Sequence, residues 1–133
     1  MASGFWLAVL ALALAVSTLS ALLSVYAQPS ESEARRAFEG LGCTSCHNGQ
    51  VASRWDEIVS HFKSWGGKYA SLDEAVRAEV TYYGMKFNSF DELMKTMATN
   101  VGRQPSDPQV VLVRDFLVSL FGAGEATPTT PTT

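Results

Sequence analysis

Glu31-Ser32-Glu33-Ala34-Arg35-Arg36-Ala37-Phe38-Glu39-Gly40-Leu41-Gly42-Cys43-Thr44-Ser45-Cys46-His47 is the stretch on which the reading of this chain turns. Ala34, Ala37 and Phe38 fall on one side of a helix over Ser32 to Glu39, and Gly40 stops it. Directly after comes Cys43-Thr44-Ser45-Cys46-His47, the C-x-x-C-H spacing of a c-type haem attachment site. The spacing has a physical reason. Two thiols three positions apart on a tight turn can each add to one vinyl group of the same porphyrin. The next residue, His47, then brings its imidazole to the iron as proximal ligand.

Other uses of the pair fit less well. A thioredoxin-type C-x-x-C sits in a βαβ context, and this sequence shows no strand pattern. A zinc site needs a second histidine a few residues from the first, whereas His47 and His61 are far apart in sequence. A plain Cys43–Cys46 disulfide would leave a small domain without a central packing element. With 2 cysteines in 133 residues, four-cysteine zinc and iron–sulfur sites and a disulfide-stapled scaffold are excluded.

Downstream the same 3.6-residue period continues. Trp55, Ile58, Val59, Phe62 and Trp65 make one apolar stripe, halted at Gly66-Gly67. Ser71-Leu72-Asp73-Glu74 is a capping box opening a helix through Ala75, Val76 and Val80 to a stop at Gly84. Ser89-Phe90-Asp91-Glu92 is another, with Phe90, Leu93, Met94 and Met97 on one face before Gly102. Asp107 caps a last helix with Pro108 in its first position, running to Leu120. No hairpin signal is visible, so the expected fold is all-α, five short helices without a repeat. Acidic residues in the first turns (Glu31, Glu33, Asp73, Glu74, Asp91, Glu92) suit the helix dipole and need no catalytic role. Arg35-Arg36 reads as a solvated helix face.

Around this segment the composition divides the chain. Its 10 basic and 13 acidic residues give a net charge of −3, which argues against nucleic acid as a partner. None of those charges precedes Glu31. Phe5 to Ala27 is an uncharged Leu/Ala/Val-rich run that as a helix would reach roughly 34 Å, enough to cross a bilayer. It reads either as a single-pass N-terminal membrane anchor or as a signal peptide cleaved near Ala27. Both place the remainder on the outer, extracytoplasmic side, membrane-held or secreted, where c-type haem is attached. At the other end, Ala126 to Thr133 is Thr/Pro low-complexity sequence that cannot build a core. The expected organisation is a leader over 1–28, one haem domain over 31–122, and a disordered tail over 123–133.

The segment Ala34 to His47 resembles the first helix and haem site of class I c-type cytochromes. Met97 to Leu120, a Met, a Gly-containing loop, Ser106-Asp107 and a helix, is similar to that family's distal-ligand loop and last helix. Ala98 follows Met97 where the family commonly has proline. The resemblance implies a small helical cytochrome c-like domain around one covalent haem c. It also implies crossing first and last helices with an aromatic from each, here Phe38 and Phe116, in contact.

Among downstream methionines, Met97 ends an apolar face just before the loop and is the expected distal iron ligand. Met94, Met85 and His61 are the alternatives. Trp55, Trp65, Tyr69, Tyr82 and Tyr83 cluster in the middle of the chain, and Trp55, Trp65 and Tyr82 are expected to pack against the haem. With both axial positions filled, the expected activity is one-electron transfer to and from membrane redox complexes or other redox proteins, without catalysis. The alternative is a five-coordinate haem protein, peroxidase-like or gas-sensing, with His61 near an open iron.

Overall fold

The computed structural model describes residues 7–11 and 27–123. Most of the Phe5–Ala27 run and the whole Thr/Pro tail lie outside the described residues. Among those described, no helix is long and apolar enough to cross a membrane. From Glu31 onward the chain is mostly helical. Its elements are α1 (Glu31–Gly40), a 3-10 turn (Cys43–Ser45), α2 (Trp55–Gly66), α3 (Leu72–Glu79), a hairpin of β1 (Thr81–Tyr82) and β2 (Met85–Lys86), α4 (Phe90–Asn100) and α5 (Pro108–Ala123).

The caps explain the boundaries. Ser30 and Glu33 form a reciprocal capping box, so α1 starts just before the expected Ser32. Ser71 and Ser89 accept the N–H groups of Glu74 and Glu92 at 3.2 and 3.1 Å. The two glutamates reach one residue further back than a standard box, to the N–H groups of Ala70 and Asn88. Asp107 accepts the Gln109 N–H at 2.9 Å, and Pro108 fills the first helical position, where no N–H is needed. Asp73 does more than suit a dipole. Its carboxylate accepts the Phe90 N–H at 2.8 Å and so ties the start of α4 to the start of α3.

The third helix differs from the expectation. It ends at Glu79, and the chain turns back at Tyr83-Gly84 into an antiparallel hairpin, with Tyr82 opposite Met85 and Thr81 opposite Lys86. Both turn residues have positive φ, 47° at Tyr83 and 79° at Gly84, as a two-residue hairpin of primed type requires. Val80 continues the apolar spacing of α3, but its extended backbone already belongs to the hairpin.

α1 and α2 both pack on α5, and α3 and α4 close the other side. The core draws Ala34, Ala37 and Phe38 from α1, Trp55, Val59, Phe62 and Trp65 from α2, and Val110, Val113, Phe116, Leu117, Leu120 and Phe121 from α5. Phe38 and Phe116 do not meet as a simple pair. Trp55 stands between them, 5.0 Å from the Phe38 ring and stacked at 5.8 Å on Phe116. An indole at the first position of α2 has the reach to fill the crossing of the first and last helices. Ion pairs at the surface, Arg35 with Asp56 and Arg114 with Asp91, link neighbouring elements, and Arg35 also pairs with Glu39 within α1. Exposed pairs of this kind add little stability.

Candidate functional site

Gly42 sets the local geometry. Its φ of 83° lets the chain leave α1 and coil at once into the 3-10 turn carrying the cysteines. Within that turn the Cys43 carbonyl accepts the N–H groups of Cys46 and His47 at 3.2 and 2.9 Å, holding both thiols and the imidazole on one short bend. Beyond it the Asn48 side chain accepts the Gln50 and Val51 N–H groups, and Ala52 N–H bonds back to Cys46. The loop therefore folds over, and the Ser53 carbonyl meets His47 Nδ1 at 2.8 Å. A carbonyl only accepts, so Nδ1 carries a proton, and in the neutral imidazole the lone pair is then the one on Nε2. The imidazole also packs on Phe38, ring centres 5.5 Å apart.

These three residues lie on the wall of a cavity of about 1080 Å³. Cofactor sites are concave and mostly apolar with a few placed polar groups, and this one is at the large end of their range. Phe38, Leu41, Phe62, Trp65, Phe90, Leu93, Val110, Val113 and Leu117 supply the apolar lining. Met94 and Met97, one turn apart on α4, bring two thioethers to the same cavity; Met94 is buried and Met97 half-buried. His61 and Tyr82 line it too, His61 stacked on Trp65. Asn100 donates to the Tyr82 hydroxyl at 2.9 Å.

Three of the residues singled out in the sequence lie off this wall. Met85 stands in β2, 58% exposed and off the lining. Trp55 is buried in the helix crossing and not on the cavity wall. Its Nε1 is the one buried side-chain polar atom without a hydrogen-bond partner among the described residues. Tyr69 is also off the wall, its hydroxyl donating to Glu79. Glu79 is a lining residue that sequence reasoning missed, since nothing local marks an exposed helix-end glutamate. Lys68 Nζ donates to the same Glu79 oxygen at 2.6 Å, and the two bonds hold this carboxyl below the usual carboxylate range.

Cys43 and Cys46 are free thiols. Burial pushes the Cys43 thiol up from its ordinary pKa, the reverse of what a disulfide oxidoreductase needs in its attacking cysteine. Among the described residues no group of three or more His, Cys, Asp or Glu is arranged to hold a metal ion. The donor set therefore does not suit a bare ion. A porphyrin iron needs only one protein donor on each face, and an imidazole and a thioether that line one apolar cavity suit that need. Covalent attachment needs two thiols on one bend at the rim, and the turn supplies them. The residues fit haem c. Comparison of the chain with family models, curated proteins and solved structures finds no match in any of them.

Proposed function

We propose that this chain is a class I c-type cytochrome, an electron carrier with one covalently held haem. The observation that carries the reading is the convergence of Cys43, Cys46 and His47 with Met94 and Met97 on one apolar cavity. Cys43 and Cys46 would form the thioethers, His47 Nε2 would be the proximal ligand and Met97 the distal one. When bound there, haem c supplies a reversible one-electron couple.

The chain's own residues do the rest. The His47–Ser53 bond fixes the imidazole's tautomer and orientation, the kind of outer contact that steadies a ligand and raises its basicity. Phe62, Trp65, Phe90, Leu93 and Leu117 exclude water, which keeps reorganisation small. Two thioethers on the lining favour a closed, six-coordinate carrier over an enzyme or sensor with an open iron. Export through the Phe5–Ala27 leader, either retained as an anchor or cleaved, suits a carrier working at the outer membrane face with respiratory redox complexes.

The deciding experiment is the absorption spectrum of protein matured in a host that attaches c-type haem. Expected are sharp, low-spin reduced bands, a thioether charge-transfer band in the oxidised form, and slow CO binding. Rapid CO binding by the ferrous wild type, with no thioether band, would overturn the carrier reading.

A further inference from the structure

The β1–β2 hairpin carries an arrangement that folding alone does not account for. Tyr83 is the one non-glycine residue with positive φ among those described, at 47°, and it is 84% exposed. An L side chain resists that conformation and gains no burial in return, and such outliers concentrate where a surface is used. Its ring is braced edge-on against Tyr82 at 4.6 Å, and Tyr82 is held by Phe87 and Asn100. Tyr82 and Tyr83 both line the cavity. From residue 27 onward, the exposed large apolar side chains among the described residues are Val51, Tyr83, Met85 and Val118. Val51 lies on the same cavity wall, and Met85 pairs with Tyr82.

Charge is the second feature. Glu79 is the lone Asp, Glu, Lys or Arg on the lining, which also carries His47 and His61, and Lys68 pairs with it. The hairpin's cation, Lys86, reaches to the Ala78 carbonyl at the end of α3. An apolar aromatic tip beside a rim of so little net charge offers packing and only a weak field for steering. Its complement is a surface of the same kind.

We propose that Tyr82, Tyr83 and Met85, with Val51, form the docking surface for a redox protein whose own prosthetic group emerges through an apolar, uncharged rim. The inference rests on the carrier reading and names the partner class and the contact. The exchange is of one electron, lost on this side and gained by the partner's oxidised centre, with no atom or proton transferred.

Tyr83→Gly tests it cleanly, because glycine adopts positive φ freely and the turn persists without the ring. Reduced full-chain protein is oxidised in stopped flow by a blue-copper protein whose copper imidazole emerges through an apolar patch. A haem protein ringed by lysines, and ferricyanide, serve as the comparison oxidants. With the copper protein the wild-type rate is expected to change less than about twofold between about 10 mM and about 500 mM salt. It is expected to fall about tenfold in Tyr83→Gly, the loss of one aromatic anchor, and to fall likewise in Met85→Thr. Oxidation by ferricyanide stays unchanged in Met85→Thr, whose side chain lies off the cavity lining. Equal rates in Tyr83→Gly and wild type, steep salt dependence, or faster reaction with the lysine-ringed protein would overturn the proposal. So would Tyr83-dependent dimerisation or vesicle binding with an unchanged copper-protein rate. Wild-type protein that fails to cycle even with ferricyanide would instead refute the carrier reading itself.

Discussion

His47 Nδ1 donates to the carbonyl of Ser53 at 2.8 Å, so the loop after the cysteines fixes which nitrogen of the imidazole is free. That bond makes His47 a one-sided donor through Nε2. Replacing His47 by Ala leaves both thiols on their turn while removing the donor. Ferrous His47→Ala is expected to bind CO rapidly where the wild type binds it slowly, as a CO difference spectrum followed in time will show. Equal CO kinetics in the two proteins would remove His47 from the iron.

Met97 and Met94 share a helix face and a cavity, and spectroscopy separates them. Met97→Ala is expected to abolish the thioether charge-transfer band and to lower the reduction potential. Met94→Ala keeps the band and costs about 3 kcal/mol of stability, as truncating a buried Met does. The reverse pattern would exchange their roles.

Much of this was legible in the sequence because it is local. The C-x-x-C-H bend, the stripe from Trp55 to Trp65, the Ser71 and Ser89 caps and the Asp107-Pro108 start all act within one or two helical turns. What escaped depends on partners far along the chain. Periodicity buries Trp55 but does not say that its neighbours are Phe38 and Phe116 in place of the cavity. The hairpin was hidden because Tyr83-Gly84 lacks the Asn or Asp that usually marks a primed turn, and because Val80 prolongs the helical spacing. Met85, just past Gly84, opens strand β2, a placement that a short unmarked hairpin does not announce. Nothing near Asp73 announces a bond to Phe90, nor near Glu79 a place on the cavity wall.

Trp55 has a filled environment and an unpaired Nε1. Trp55→Phe keeps most of the ring packing and removes the unsatisfied donor, so the two effects offset and stability stays within about 1 kcal/mol of wild type. Trp55→Ala opens the helix crossing and costs about 4 kcal/mol. Urea unfolding of the three proteins measures both, and a Phe variant as unstable as the Ala variant would contradict the account of this residue.

Acid sensitivity follows from Glu79. Its folded pKa is lowered, mainly by the hydrogen bond from Lys68 and then by that from Tyr69. The stabilisation is therefore full above the unfolded carboxyl's pKa, about 4.3, and is lost as pH falls through the lower folded value. Wild type is expected to lose more stability than Glu79→Gln between pH 7 and about pH 3. Parallel losses in denaturant unfolding at the two pH values would show that the contact contributes nothing.

The covalent group itself is the centre of the account, and intact mass spectrometry with a pyridine haemochrome spectrum tests it most directly. Protein from a host that matures c-type haem is predicted to weigh one haem more than its polypeptide and to give the spectrum of a doubly thioether-linked porphyrin. That added mass should vanish when Cys43 and Cys46 are both replaced by Ser. A colourless wild-type chain at the bare polypeptide mass would contradict it.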